Sequence, residues 1–88
     1  MPTFAGKEGL APNPVTAGQA SRLSFNSTGG TASVQVIDAG GRIAFVQQVN
    51  AAEGVNNMMI PTTGLRTGMY VVRVVQAGKA TSYKLLVQ

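Results

Sequence analysis

Apolar residues in this chain recur at every second position in short runs, and breaks rich in glycine separate those runs. A period of two sends successive side chains to opposite faces, which is the pattern of a half-buried strand. No helical pattern of useful length competes with it. Leu23 and Phe25 share one face of a first run, with Arg22 and Ser24 on the other. Ala32, Val34 and Val36 repeat the pattern over residues 31–37. Ile43, Phe45 and Val49 carry it through residues 42–49, with a bulge expected around Val46-Gln47-Gln48. Val55 to Ile60 reads as a short strand with Met58 and Ile60 inward, ended by Pro61, which cannot donate to a ladder. Met69 to Val75 turns Tyr70, Val72 and Val74 to one side. Thr81 to Val87 turns Tyr83, Leu85 and Val87 to one side.

The breaks have turn chemistry. Thr28-Gly29-Gly30 reads as a turn and Ala51 to Gly54 as a loop. Asp38-Ala39-Gly40-Gly41 reads as a hairpin connection, because glycine supplies positive φ and Asp38 can bond its own backbone. Thr62 to Gly68 is a connection carrying Leu65, and Gln76 to Lys79 turns through Gly78. Six or seven strands at this spacing predict an all-β fold, an Ig-like Greek-key sandwich of about seven short antiparallel strands. Residues 1–9 read as a lead-in and residues 10–88 as the domain. Leu65-Arg66-Thr67-Gly68-Met69-Tyr70 fits a tyrosine corner, in which a Tyr entering a late strand bonds through its hydroxyl to backbone just upstream. Open sheet edges in such a fold allow a weak or swapped dimer.

Size and residue types exclude most chemistry. An 88-residue chain holds one thin core and has little room for a deep pocket. Charged residues are only 11% of the sequence, so its polarity comes from Ser, Thr, Asn, Gln and Gly. There is no histidine and no cysteine, which removes the commonest general base, the thiol nucleophile and the usual zinc ligands. The three acids, Glu8, Asp38 and Glu53, fall on separate turns or ends, so a carboxylate pair is not expected. No catalytic residue, metal site or cofactor is expected, and the chain reads as a non-enzyme without a small-molecule substrate. The net charge is +4, but the seven basic residues are scattered singly and no aromatics interleave with them. Nucleic-acid binding is therefore not expected. No stretch approaches the ~18 apolar residues of a membrane span. The N-terminal residues do not read as a signal peptide, so an exported parent is expected to carry one elsewhere.

Several segments together carry a resemblance. Pro12-Asn13-Pro14 comes first, then Val36-Ile37-Asp38-Ala39-Gly40-Gly41-Arg42. Asn57-Met58-Met59-Ile60 precedes Leu65-x-x-Gly68-x-Tyr70-Val71-Val72-Arg73-Val74, and Lys84-Leu85-Leu86-Val87-Gln88 follows last. In order and spacing, residues 10–88 resemble the C-terminal sorting domains of the type IX secretion system of Bacteroidetes, type A. Ala11 and Gly40 stand where other residues are common in that family.

The resemblance implies a transport address on a larger cargo protein. Its partners would be the upstream cargo and the outer-membrane translocon, shuttle protein and sortase of that system. The route would run through the periplasm to the outer-membrane surface or the medium, usually with removal of the domain by the sortase. The implied sorting motif comprises Pro12, Asn13 and Pro14; Asp38, Gly41 and Arg42; Gly68 and Tyr70; and Lys84, Leu85, Leu86, Val87 and Gln88. Each group also has a plain structural reading: a strand-capping turn, a tight hairpin, a buried tyrosine, a solvated lysine. The last strand, with Lys84 and the Leu85-Leu86 pair, is expected to offer an exposed or fraying edge that a receptor reads by strand addition. The alternative is a carbohydrate-binding or adhesive sandwich module, which usually presents aromatic platforms; this chain has no Trp, two Tyr and three Phe.

Overall fold

The computed structural model describes residues 9–88. They form five strands: β1 (Gly9–Ala11), β2 (Ala20–Asp38), β3 (Ile43–Pro61), β4 (Gly68–Gln76) and β5 (Lys79–Val87). All pairings between them are antiparallel, in the order β1-β2-β4-β5, with β3 also on β2. Five strands replace the expected seven because two expected reversals are not reversals. Thr28-Gly29-Gly30 lies inside β2 and Ala51 to Gly54 lies inside β3. The two breaks face each other across one ladder, with Ser27 opposite Gly54, Thr28 opposite Glu53 and Gly30 opposite Ala51. Pairing therefore runs through both, and the long hairpin bends as a unit.

Glycine makes that bend. Gly29, Gly30 and Gly54 have φ of 98°, 101° and 105°, conformations that residues with a Cβ rarely adopt. On β2 the buried positions are odd before the glycines (Leu23, Phe25) and even after them (Ala32, Val34, Val36). On β3 they shift from Ala51 to Ile60 across Gly54. Each strand thus changes the face it turns to the core, and both limbs of the hairpin bury apolar side chains in one cluster. The bend is braced locally. Ser27 Oγ accepts from the Gly29 amide at 2.9 Å, and the Asn56 amide group bonds both the N–H and the carbonyl of Ala52 at 2.9 and 2.8 Å.

The inward faces otherwise follow the alternation. Leu23, Phe25, Ala32, Val34, Val36, Tyr70, Val72, Val74, Leu85 and Val87 are buried, and Phe45, Val49, Met58, Leu65 and Tyr83 pack partly against them. Pro61 is the last residue of β3. Two positions differ from expectation. Ile43 is 56% exposed rather than inward. The bulge falls not at Val46-Gln47-Gln48 but at the hairpin end, where Val36 faces Phe45 and Ile37 faces Ile43, leaving Ala44 as the extra residue. The two differences have one cause, since an extra residue at Ala44 flips Ile43 to the outer face.

Most of the lead-in expected over residues 1–9 lies outside the described residues; Gly9 pairs with Ser24 as the start of β1. Between β1 and β2 the chain is pinned by polar side chains. Buried Ser21 donates to the Pro12 carbonyl at 2.9 Å. Buried Thr62 accepts from the Gly18 amide at 2.9 Å and donates to the Gln19 carbonyl. Among the described residues no buried side-chain nitrogen or oxygen lacks a partner.

The bend predicts a contrast between two glycines. At Gly54 a Cβ meets nothing within 4 Å, so the cost of Gly54→Ala is conformational alone. That substitution is expected to lower stability by more than ~1 kcal/mol, read as a lower urea midpoint at unchanged slope. Gly40 has no positive φ, and a Cβ there comes no closer than 3.4 Å to Asp38 Oδ1. Gly40→Ala is expected to stay within ~0.5 kcal/mol of the parent.

Candidate functional site

The residues singled out by the sequence fall along the far edge of β5, in the β2–β3 hairpin and at the start of β4, and beside them lies the outer face of β2, β4 and β5. Strand β5 turns Tyr83, Leu85 and Val87 inward, and its near edge pairs with β4 from Gln76–Lys79 to Gly68–Val87. In an antiparallel strand every second residue points its backbone groups away from the partner. At the end of β5 these residues are Lys84, Leu86 and Gln88.

Their outward groups are taken by residues 13–17. Asn13 Nδ2 donates to the Lys84 carbonyl at 2.7 Å, and the Leu86 amide donates to Asn13 Oδ1 at 3.0 Å. The Val15 amide donates to the Leu86 carbonyl at 2.8 Å, and the Gln88 amide donates to the Val15 carbonyl at 2.8 Å. The Ala17 amide donates to the Gln88 carbonyl at 2.7 Å. Val15 and Val87 form a parallel bridge, and both are buried. The flanking residues explain the choice of Asn13. Pro12 and Pro14 have no N–H to offer a ladder, so the carboxamide supplies the donor and acceptor of one strand position. The Ala11–Pro12 and Asn13–Pro14 peptide bonds are both cis.

The terminal edge is therefore covered from Lys84 to Gln88, where an exposed or fraying edge is the sequence expectation. The covering strand lies about 70 residues away in sequence, with separations of 71 and 73 for the two Asn13 bonds. No local pattern encodes it. Val15 and Ala17 complete this cover through their backbones, which sequence reasoning misses.

The hairpin between β2 and β3 is built by Asp38. Its amide donates to the Arg42 carbonyl at 2.8 Å, and its carbonyl accepts from Gly41 at 3.0 Å. Its Oδ1 accepts from the amides of Gly40 and Arg42, both at 2.9 Å. Gly41 takes φ of 87°, as the turn requires. The Arg42 side chain is exposed. At the start of β4, the Tyr70 hydroxyl donates to the Arg66 carbonyl at 2.7 Å, four residues upstream. The tyrosine ring is buried and Leu65 packs partly beneath the turn, which is the geometry of a tyrosine corner. Gly68, with φ of 150°, faces Val87 across the ladder.

The outer face of this limb is unusually apolar. Ile43, Ile37, Val71 and Lys84 stand side by side on four consecutive strands. Met69 and Leu86 form the next row on one side, and Val46, Gln35, Arg73 and Ser82 the row on the other. Ile43, Val46, Met69 and Val71 are all exposed there. A hollow of about 130 Å³ opens on this face, walled by Ile37, Ala39, Met69 and Val71. Asp38, Tyr70 and Lys84 complete its lining. The fold thus brings three dispersed motif residues to one depression. A signal for this face does exist in the sequence. From Met69 to Val75 only Arg73 interrupts an apolar run, so both faces of β4 are apolar.

A family model described as the secretion system C-terminal sorting domain matches residues 10–88. No curated protein matches the chain.

The covered edge predicts graded effects at Asn13. Asn13→Ala removes both bonds and is expected to cost about 1–2 kcal/mol, with faster hydrogen exchange at the Leu86 and Gln88 amides. Asn13→Asp keeps an acceptor for Leu86 but sets a carboxylate against the Lys84 carbonyl, and is expected to cost at least as much. Tyr70→Phe is expected to cost about 1 kcal/mol through loss of the corner bond, with no change in exchange at Leu86.

Proposed function

The chain belongs to the secretion system C-terminal sorting domain family, and from that premise we propose that it takes its cargo along the full type IX route as a folded, non-catalytic address. The family match across residues 10–88 is the observation that carries this reading. As a sorting signal of type IX secretion, the domain is attached to an upstream cargo and interacts with that system's machinery. In the proposed course the cargo crosses the inner membrane by its own signal peptide and folds in the periplasm. The translocon and shuttle protein then take it through the outer membrane. A sortase removes the domain and leaves the cargo on the surface or in the medium. A non-catalytic role is supported by a sequence without histidine or cysteine and with only three acids. The finer reading of the fold is an Ig-like sandwich. It is supported by the change of face at the glycine bend and by a shortest dimension of 16 Å, which suits two sheet layers roughly 10 Å apart.

The covered edge alters how such an address is read. Strand addition along Leu86–Gln88 would first have to displace Asn13, Val15 and Ala17. The outer face needs no such displacement, since its apolar side chains already face solvent. The tail then serves recognition indirectly, by closing the seam that holds the outer face in shape.

A reporter fusion tests the address. With the intact domain at its C-terminus, a periplasm-directed reporter is expected at the cell surface, read by fractionation and protease shaving. Deletion of Leu86 to Gln88 is expected to leave it in the periplasm, as is placing the domain between two reporters. Normal surface delivery by the truncated fusion would overturn the reading.

A further inference from the structure

We propose that the hollow on the outer face is a docking site for a partner protein segment in which an apolar side chain is followed closely by a carboxylate. The site deepens the sorting reading and rests on it for its biological role, though not for its chemistry. The hollow is open to solvent on one side, and its volume of about 130 Å³, against ~150 Å³ for an enclosed cavity that admits benzene, leaves room for one apolar side chain. Its walls are Ile37, Ala39, Met69 and Val71, so the group it takes is apolar. The exposed side chains of Ile43 and Val46 extend the apolar surface beyond it. Contiguous exposed patches of this kind mark interaction sites, and buried anchors in pockets carry most of the binding energy of an interface.

Charge selects the occupant. Lys84 lines the hollow and stands beside Val71. Arg73 lies on the same face in the next row, opposite Ser82. The one acid of the hollow, Asp38, has its Oδ1 engaged by the amides of Gly40 and Arg42, whereas the cations Lys84 and Arg73 stand exposed. An incoming carboxylate therefore meets Lys84 and Arg73 with its apolar neighbour seated below. A second copy of this chain would bring Lys84 and Arg73 against another basic face, which opposes self-association through this surface. An anionic lipid surface would meet the charges but has no use for a hollow sized to one side chain. The position also fits the seam, because the Lys84 carbonyl is held by Asn13. Closing the seam fixes the strand that presents the Lys84 side chain.

The test uses the 88-residue chain and two blocked peptides, acetyl-Gly-Leu-Glu-Gly-amide and its Lys-for-Glu counterpart, followed by NMR shift changes. The Glu peptide is expected to shift the amides of Ile37, Ala39, Met69, Val71 and Lys84 saturably, with Kd on the order of 1 mM for so small a ligand. The Lys peptide is expected to bind about fivefold more weakly, the size of an exposed charge pair. Lys84→Gln should weaken the Glu peptide and narrow the gap between the two. Val71→Thr, which keeps the shape, should weaken both. Shifts scattered over the domain, or equal binding of both peptides to the unaltered chain, overturn the proposal. So does broadening of these amides by phosphatidylglycerol vesicles without any peptide shift, which would mark a membrane surface instead. The reporter fusion separates this proposal from the sorting reading. Surface delivery without peptide binding removes the docking site alone, whereas peptide binding without delivery removes the sorting reading alone.

Discussion

Five hydrogen bonds join residues 13–17 to the outward edge of Lys84–Gln88, and they close the sheet on itself. Without them β5 would be an edge strand with its final residues unpaired on one side. A free edge at the end of a chain invites pairing with other chains and frays easily. The seam prevents both, and it also ties the segment after β1 to the last strand. The sheet order puts β1 and β5 at opposite ends of a path, yet Val15 sits against Val87. The curl that encloses Val15, Leu23, Phe25, Leu85 and Val87 depends on this meeting of the two ends.

The seam works because of a division of labour in Pro12-Asn13-Pro14. Two prolines deny the backbone a ladder, and one carboxamide replaces it. Ser21 then holds the Pro12 carbonyl, and Thr62 holds Gly18 and Gln19. The irregular segment between β1 and β2 is thus fixed by three polar side chains rather than by apolar packing alone. In a chain of this size the core alone is thin, and such long-range bonds add to the contact that buried Val15 makes with it.

Local periodicity made the faces legible. The inward positions of β2, β4 and β5 follow from alternation, and the hairpin at Asp38 and the corner at Tyr70 follow from turn chemistry. Thr28-Gly29-Gly30 was not legible, because glycine permits either a reversal or a bend and only the opposite strand decides. Ala51 to Gly54 lies across the ladder from it, and paired weak points let the hairpin bend without breaking. The extra residue at Ala44 was equally hidden, since either side of a hairpin can absorb a bulge. Asn13, Val15 and Ala17 lay furthest from reach, as their partners are set by the closed fold and not by neighbours in sequence.

This architecture separates two roles that a linear motif would merge. Leu85 and Val87 are buried and Leu86 carries the seam, so the tail is needed for the fold before any receptor meets it. Changes there disturb folding and recognition together. Lys84, Val71 and Met69 instead point outward from strands whose inner faces are already filled by Tyr70, Val72 and Leu85. Their side chains add little to the core, and their alternation with core residues fixes the backbone positions from which they project. A surface that is apolar, positively charged at one side and held by the core beneath it can vary in specificity without loss of the fold. The tail is therefore the fastening of the fold, and in the proposed docking the face it stabilises is the one a partner reads.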